Sequence, residues 1–289
     1  MKLIHEPKEM RAWSMEQRCA GKSIGFVPTM GALHEGHRSL MQAARDRDDV
    51  AVLSIFVNPT QFAPHEDFNA YPRVMDADLA MAEEVGIDAV YAPGAQAMYP
   101  AGYTTYVSVE GVSEGLCGGS RPHFFRGVAT VVTKLFTAVL PDYAYFGQKD
   151  AQQCAVIKRM ARDLDLGVEI VEMPIVRDPD GLAMSSRNRY LSPEERERAL
   201  CLSRALRDAE ARLLGGEQNA AAIVEAVRDG LAEVEIDYVA LVDAETMKPV
   251  ARLEGPVLLA VAARIGTTRL IDNLKFSIAN TRPETATAP

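Results

Sequence analysis

Ile24-Gly25-Phe26-Val27-Pro28-Thr29-Met30-Gly31-Ala32-Leu33-His34-Glu35-Gly36-His37 is the stretch that decides how this chain is read. An apolar run over residues 23–27 passes into a turn with two glycines and two histidines, and a helical pattern opens near Arg38. Strand, glycine turn and helix, in that order, is how an α/β protein builds a phosphate site. Gly31 and Gly36 let backbone approach a ligand, and the helix N-terminus faces its negative charge. His34 and His37 are three apart and fall on one face of a first helical turn. Paired histidines are common as plain core or surface residues, so the placement carries this inference more than the pair does.

Outward from that stretch, further β-prone runs lie at residues 50–57, 88–91, 143–146 and 168–171. Helical patterns between them cover 38–47, 77–85, 128–140 and 151–164. Short apolar strands separated by helices predict a parallel sheet covered on both faces, with ligands bound beyond the carboxyl ends of its strands. The turns at Thr29, Asn58-Pro59 and Gly147 each follow a strand end, so three polar loops converge on one rim. A different texture begins at Arg177-Asp178-Pro179-Asp180-Gly181, a turn cluster and plausible hinge. Ser192-Pro193-Glu194-Glu195 reads as N-cap, N1 proline and acidic first turn of a helix to about Leu214. A second helix over 220–233 and strands at 238–242 and 257–262 complete a small α+β unit. The division is therefore residues 1–176 and 177–289, with the Pro-, Thr- and Ala-rich tail 280–289 expected to be disordered.

The chain has 289 residues, 31 basic and 40 acidic side chains and a net charge of −9, a balance that argues against nucleic acid as the main ligand. An acidic protein that binds phosphate must concentrate its positive groups locally, which draws attention to lysines and arginines within motifs. No apolar run approaches the roughly 18 residues of a membrane span, and the N-terminus lacks the apolar core of a secretory signal. Cys19, Cys117, Cys154 and Cys201 form no C-x-x-C pair, which suggests a reducing, cytoplasmic setting.

Three further segments carry chemistry. In Phe56-Val57-Asn58-Pro59-Thr60-Gln61-Phe62, Gln61 offers a donor and an acceptor to a small polar ligand. Phe146-Gly147-Gln148-Lys149-Asp150-Ala151-Gln152-Gln153 repeats the strand–glycine–helix architecture with a lysine suited to phosphate, and Gln153 follows on the first helical turn. Met184-Ser185-Ser186-Arg187 puts two hydroxyls and a guanidinium beyond the hinge, a set able to wrap a triphosphate and expected to form a mobile lid.

With Ser120-Arg121-Pro122, Phe125-Arg126-Gly127-Val128 and Thr268-Arg269-Leu270-Ile271-Asp272-Asn273, these blocks span nearly the whole chain. In that order they resemble the bacterial pantoate–β-alanine ligases (pantothenate synthetases), nucleotidyl-transferring enzymes with an H-x-G-H motif. The resemblance implies an α/β fold, a Rossmann-like parallel-sheet domain with a smaller C-terminal α+β lid domain, and a cytoplasmic homodimer. It also implies a reaction in which ATP, with Mg²⁺, and (R)-pantoate give pantoyl adenylate and pyrophosphate. β-Alanine then displaces AMP to give pantothenate, on the way to coenzyme A. Carried over by motif, Met30, Gly31, Ala32, Leu33, His34, Glu35, Gly36 and His37 line the ATP site, His34 meets phosphate and His37 is the proton donor. Gly147, Gln148, Lys149 and Asp150 hold ATP, Lys149 meeting its phosphates. Val176 contacts adenine, and Met184, Ser185, Ser186 and Arg187 close over the triphosphate. Gln61 and Gln153 bind pantoate, and Gln61 also neighbours β-alanine. No residue is assigned to the metal.

Three positions, in two places, depart from the family pattern. His123 and Phe124 stand where Gly and His are usual, and Gln148 stands where Glu is common. Other readings are an adenylyltransferase acting on a phosphorylated acceptor and a non-catalytic nucleotide sensor. The paired glutamines, without clustered acceptor-binding arginines, disfavour the first, and the retained Lys149, His34 and His37 disfavour the second.

Overall fold

The computed structural model describes residues 1–64 and 66–277; the expectation for the tail 280–289 lies outside them. In chain order the elements are β1 (Lys2–Ile4), α1 (Pro7–Cys19), β2 (Ile24–Thr29), α2 (Glu35–Arg47), β3 (Val50–Ile55), α3 (Met75–Val85), β4 (Ala89–Tyr91), α4 (Ala95–Met98), α5 (Leu116–Ser120), α6 (Phe124–Val139), β5 (Tyr143–Gly147), α7 (Ala151–Asp163) and β6 (Glu169–Met173). There follow α8 (Pro193–Leu214), α9 (Ala220–Gly230), β7 (Glu235–Asp243), β8 (Pro256–Ile265) and β9 (Thr268–Ser277).

The first six strands form one sheet in the order β1-β4-β3-β2-β5-β6, and every pairing is parallel. From β2 the chain winds to one side through β3 and β4, then returns to lay β5 on the other side. The switch point therefore falls between β2 and β5, and an open parallel sheet binds its ligand in that crevice. One core, with Phe26, Val52, Phe136 and Ile157, covers one face of the sheet; another, with Val27, Leu53, Met41 and Tyr145, covers the other. β2 runs through Pro28, past the limit expected from sequence. A proline is tolerated in this central strand because β5 pairs only with Gly25 and Phe26, so no sheet partner there needs the missing N–H.

The second unit is an antiparallel sheet, β7-β8-β9. α8 begins at a full capping box, Ser192 accepting from the Glu195 N–H while the Glu195 side chain accepts from the Ser192 N–H. On β8, Val257, Leu259, Val261 and Ala263 pack with α8 and α9. Leu258 and Ala260 point the other way, into a cluster with Val112, Phe125 and Val156 of the first unit. A strand buried on both faces reads as a continuous apolar run, as this one does.

β1, α1, α4, α5 and β9 have no counterpart among the sequence expectations. β1 has only three residues. β9 buries Asp272 and Asn273 side by side, which breaks the alternation that marks a half-buried strand.

Candidate active site

The loops after β2 and β5 face each other across the switch point, and a cleft of about 260 Å³ lies between them. Its walls include Met30, His34, Gly36 and His37 on one side and Gly147, Lys149, Asp150 and Gln153 on the other. The extended segment at Val176 and the loop Met184–Arg187 close a third side.

The first wall is built by an unusual cap. α2 starts at Glu35, three residues earlier than the sequence pattern suggests, because the His34 imidazole itself serves as N-cap: its Nδ1 accepts the Gly36 N–H at 3.2 Å. An accepting Nδ1 fixes the tautomer with the proton on Nε2, which leaves a donor for a ligand oxygen. Gly36 is needed because a Cβ there would lie 2.9 Å from His34 Cε1. Gly31, at φ +79°, makes room for Asp78, whose Oδ2 would sit 2.8 Å from an added Cβ. Gly31 thus admits a protein side chain where the sequence reading had it admit ligand, whereas Gly36 makes room for the His34 ring and still lines the cleft.

Asp78, with 2 % of its surface exposed, accepts the Ala32 and Leu33 N–H groups at 2.9 and 2.8 Å. These amides are therefore turned into the protein. Gly31, Ala32, Leu33 and Glu35, expected at the ATP site, are not among the residues lining the cleft; they support the loop that presents His34 and His37. Nothing local in the sequence marked Asp78, 46 residues from Ala32.

Both histidines are held neutral. Burial, assisted by the charge of Lys149, pushes His34 down to about 4. Burial, then His34 and Lys149, lowers His37 well below the ordinary histidine range. Lys149 stands beside Asp150, its Nζ 3.3 Å from Oδ2. Asp150 is the one carboxylate on the cleft wall among the described residues.

Gln61 and Gln153 both reach the cleft. Gln61 Nε2 points at Met30 Sδ, 2.9 Å away, and its Oε1 accepts from Asn58 Nδ2 at 3.1 Å. Buried Asn58 also accepts from the Thr60 and Tyr99 hydroxyls at 2.9 and 2.8 Å, freezing the turn. Gly127 lets α6 close on that turn, since a Cβ there would lie 2.4 Å from the Thr60 carbonyl oxygen. Beside the glutamines, Phe56, Val128, Val131, Val132 and Leu135 give the cleft an apolar wall.

The Met184–Arg187 loop is tied to the residues that follow β3. Arg187 makes a bidentate pair with Asp67, both contacts at 3.0 Å, and Ser186 Oγ lies 3.2 Å from the Tyr71 hydroxyl. Val176 accepts the Met184 N–H at 3.0 Å. Gln148, in contrast, is not on the cleft wall: its side chain donates to Asn273 Oδ1 on β9. The charge that a glutamate would carry at this position is therefore removed from a place that does not face the ligand. Phe124 does line the cleft, with the Arg121 guanidinium 3.7 Å above its ring. Arg121 is held in turn by Glu66 and donates to the Gln61 carbonyl at 3.1 Å.

The protein offers no group of three or more His, Cys, Asp or Glu side chains able to cage a metal among the described residues. One carboxylate, Asp150, beside Lys149 on the cleft wall fits Mg²⁺, which usually keeps waters and substrate phosphates as its other ligands.

Residues 2–275 match the family model described as pantoate-beta-alanine ligase. The chain is 54 % identical to the pantothenate synthetase of Moorella thermoacetica over 281 residues, covering 96 % of this chain and 99 % of that one. It is 56 % identical to that of Heliobacterium modesticaldum over 281 residues, covering 96 % and 100 %. Among solved structures, the pantothenate synthetase from Thermus thermophilus superposes with a TM-score of 0.89 at 44 % identity, over 95 % of this chain and 99 % of that one. A pantoate-beta-alanine ligase from Francisella tularensis, complexed with beta-gamma ATP and β-alanine, gives 0.76 at 31 % identity over 95 % and 97 %. The chain belongs to the pantoate–β-alanine ligase family.

Proposed function

We propose that this enzyme joins (R)-pantoate and β-alanine in a reaction driven by ATP, forming pantothenate, AMP and pyrophosphate through a pantoyl adenylate. The observation that carries the reading is the meeting, at one switch-point cleft, of a phosphate-type wall (His34, His37, Lys149) with a paired-amide and apolar wall (Gln61, Gln153, Val128). The first suits a triphosphate and the second a small branched hydroxy acid.

In the first step a pantoate carboxylate oxygen bonds to the α-phosphorus and the bond to the pyrophosphate oxygen breaks. Gln61 and Gln153 orient the acid, while Lys149 and the His34 Nε2–H meet the phosphate oxygens. Asp150, together with the substrate phosphates, would hold Mg²⁺, which would supply charge neutralisation at the pyrophosphate oxygens. His37 starts neutral, so its role as proton donor depends on the triphosphate, whose negative charge raises the affinity of the ring for a proton. Ser185, Ser186 and Arg187 cover the triphosphate, and Met184 and the Val176 backbone face the adenine. In the second step the β-alanine amine, near Gln61, adds to the acyl carbonyl and AMP leaves.

We assign residues 1–176 to the nucleotide and pantoate domain, the remainder to the C-terminal domain, and the enzyme to the cytoplasm as a homodimer. Residues 104–110, TTYVSVE, support the dimer: they are β-prone and lie outside every helix and strand, and among the described residues only Val107 finds an acceptor for its N–H, the Thr130 hydroxyl. Such a row of open backbone groups suits antiparallel pairing with a second copy.

The test is AMP release from ATP measured with each acid omitted in turn. The reading requires multiple turnovers only when pantoate and β-alanine are both present. Steady AMP formation without β-alanine would point to a different acceptor.

A further inference from the structure

Asn273 lies on β9 of the second domain and is 4 % exposed. Its side-chain amide is wholly used by the turn that carries Lys149. Nδ2 donates to the Gln148 and Lys149 carbonyls, both at 3.0 Å, and Oδ1 accepts from Gln148 Nε2 at 3.1 Å. One residue earlier Asp272, 3 % exposed, takes a bidentate contact from Arg177 at 2.6 and 3.0 Å. Arg177 also donates to the Gly181 carbonyl and opens the hairpin, bridged to Ala183, that leads into Met184–Arg187. Successive residues of a strand point to opposite sides. β9 thus grips the phosphate-lysine turn with one side chain and the root of the lid loop with the next.

Gln148–Asp150 is a single 3-10 turn, whose internal hydrogen bonds have poorer geometry than those of an α-helix. Two donors on one buried amide fix both peptide planes, and with them the direction in which the Lys149 side chain leaves the backbone.

We infer that Asn273 is a positioning residue for Lys149, setting from the second domain the place of the ammonium that meets the nucleotide phosphates. The inference rests on the phosphate role proposed for Lys149. Asn273 touches no substrate; it acts through the turn.

The test is a double-mutant cycle read by ATP affinity, with adenylation followed separately as pantoate-dependent ATP–pyrophosphate exchange. Asn273→Asp keeps the shape but turns an oxygen toward two carbonyls; Asn273→Ser, smaller and uncharged, serves if the aspartate variant does not fold. In the otherwise native enzyme either substitution weakens ATP binding about tenfold and slows exchange by at least as much, with the KM for β-alanine unchanged. In a Lys149→Ala background the same substitution changes the ATP Kd less than twofold, because the group it positions is gone. Equal losses in both backgrounds would show a purely structural role and overturn the inference while leaving the lysine's role intact. Wild-type ATP affinity and exchange in Lys149→Ala itself would overturn the phosphate reading of Lys149 and this inference with it.

Discussion

His34 and His37 stack with ring centroids 4.1 Å apart and planes inclined by 41°, and the wall they form is uncharged. Two imidazoles this close resist taking a proton each, and Lys149 adds a third positive charge to the same pocket. The neutral pair is the state that the fold prefers, and on the proposed reading bound ATP shifts it.

That preference has a pH signature. A histidine depressed in the folded state stabilises it fully above the unfolded value near 6.5. The contribution is lost as pH falls toward the folded value, about 4 for His34. Between about pH 6.5 and 4.5 the ligand-free wild type should therefore lose more melting temperature than His37→Gln, by about 3 °C. Saturating ATP should shrink the difference. Parallel curves for the two proteins would mean that His37 is not held neutral.

Gln61 separates the substrates. Its amide is already turned by Asn58 toward Met30, so truncation removes a preset polar contact without disturbing the frozen backbone of the turn. Gln61→Ala should raise the KM for pantoate by about tenfold, the worth of one or two hydrogen bonds, with ATP binding altered less than twofold. Titration with each substrate checks this, and equal losses for both would remove Gln61 from the acid pocket.

Asp78 should matter without touching ligand. Burial raises its pKa and the two loop N–H groups oppose that rise, which marks the carboxylate as an acceptor the loop depends on. Asp78→Asn sets an NH₂ against at least one of those donors. We expect a loss of about 1–3 kcal/mol in denaturant unfolding, and slower adenylation from a loosened His34–His37 loop. Unchanged stability would show that the loop holds itself.

Much of this was legible in the sequence because the site lies where strand endings force it. The runs before Pro28, Asn58 and Gly147 are short, apolar and followed by turn residues, so their parallel pairing and the convergence of their loops could be read directly. The start of α2 was misplaced because its N-cap is a histidine, outside the usual Ser, Thr, Asp and Asn set. Asp78 and Asp67 were missed, and Asn273 was quoted without a role, for a shared reason: each acts on a loop distant in sequence, through hydrogen bonds that no spacing rule encodes. Gly31 has Asp78 as its neighbour instead of a ligand, since a glycine announces a close approach without naming what approaches.

The capping box of α8 offers a control in which stability and activity part company. Ser192 and Glu195 exchange hydrogen bonds at 3.2 and 2.9 Å on a helix that packs within the second domain. Ser192→Ala should cost about 1 kcal/mol, seen as a lower melting temperature, while kcat and both acid KM values stay within about twofold of wild type. A large fall in kcat would mean that the helix start transmits strain to the lid loop just before it.

Phe124 provides the sharpest test of a departure from the family pattern. Its ring carries the Arg121 guanidinium at 3.7 Å, and Arg121 in turn holds the Gln61 carbonyl. Aromatic support of this kind is worth about 0.5–1 kcal/mol at a partly exposed site. Phe124→His replaces the face with a more polar ring beside a cation, but the bidentate grip of Glu66 on Arg121 remains. The KM for pantoate should therefore rise about two- to fivefold, with the KM for ATP unchanged. Glu66→Gln in the same background should add to the loss, because it weakens the second anchor of the same guanidinium. A pantoate KM that ignores both substitutions would show that Gln61 is held by Asn58 alone, and that the family's histidine position is free to vary here.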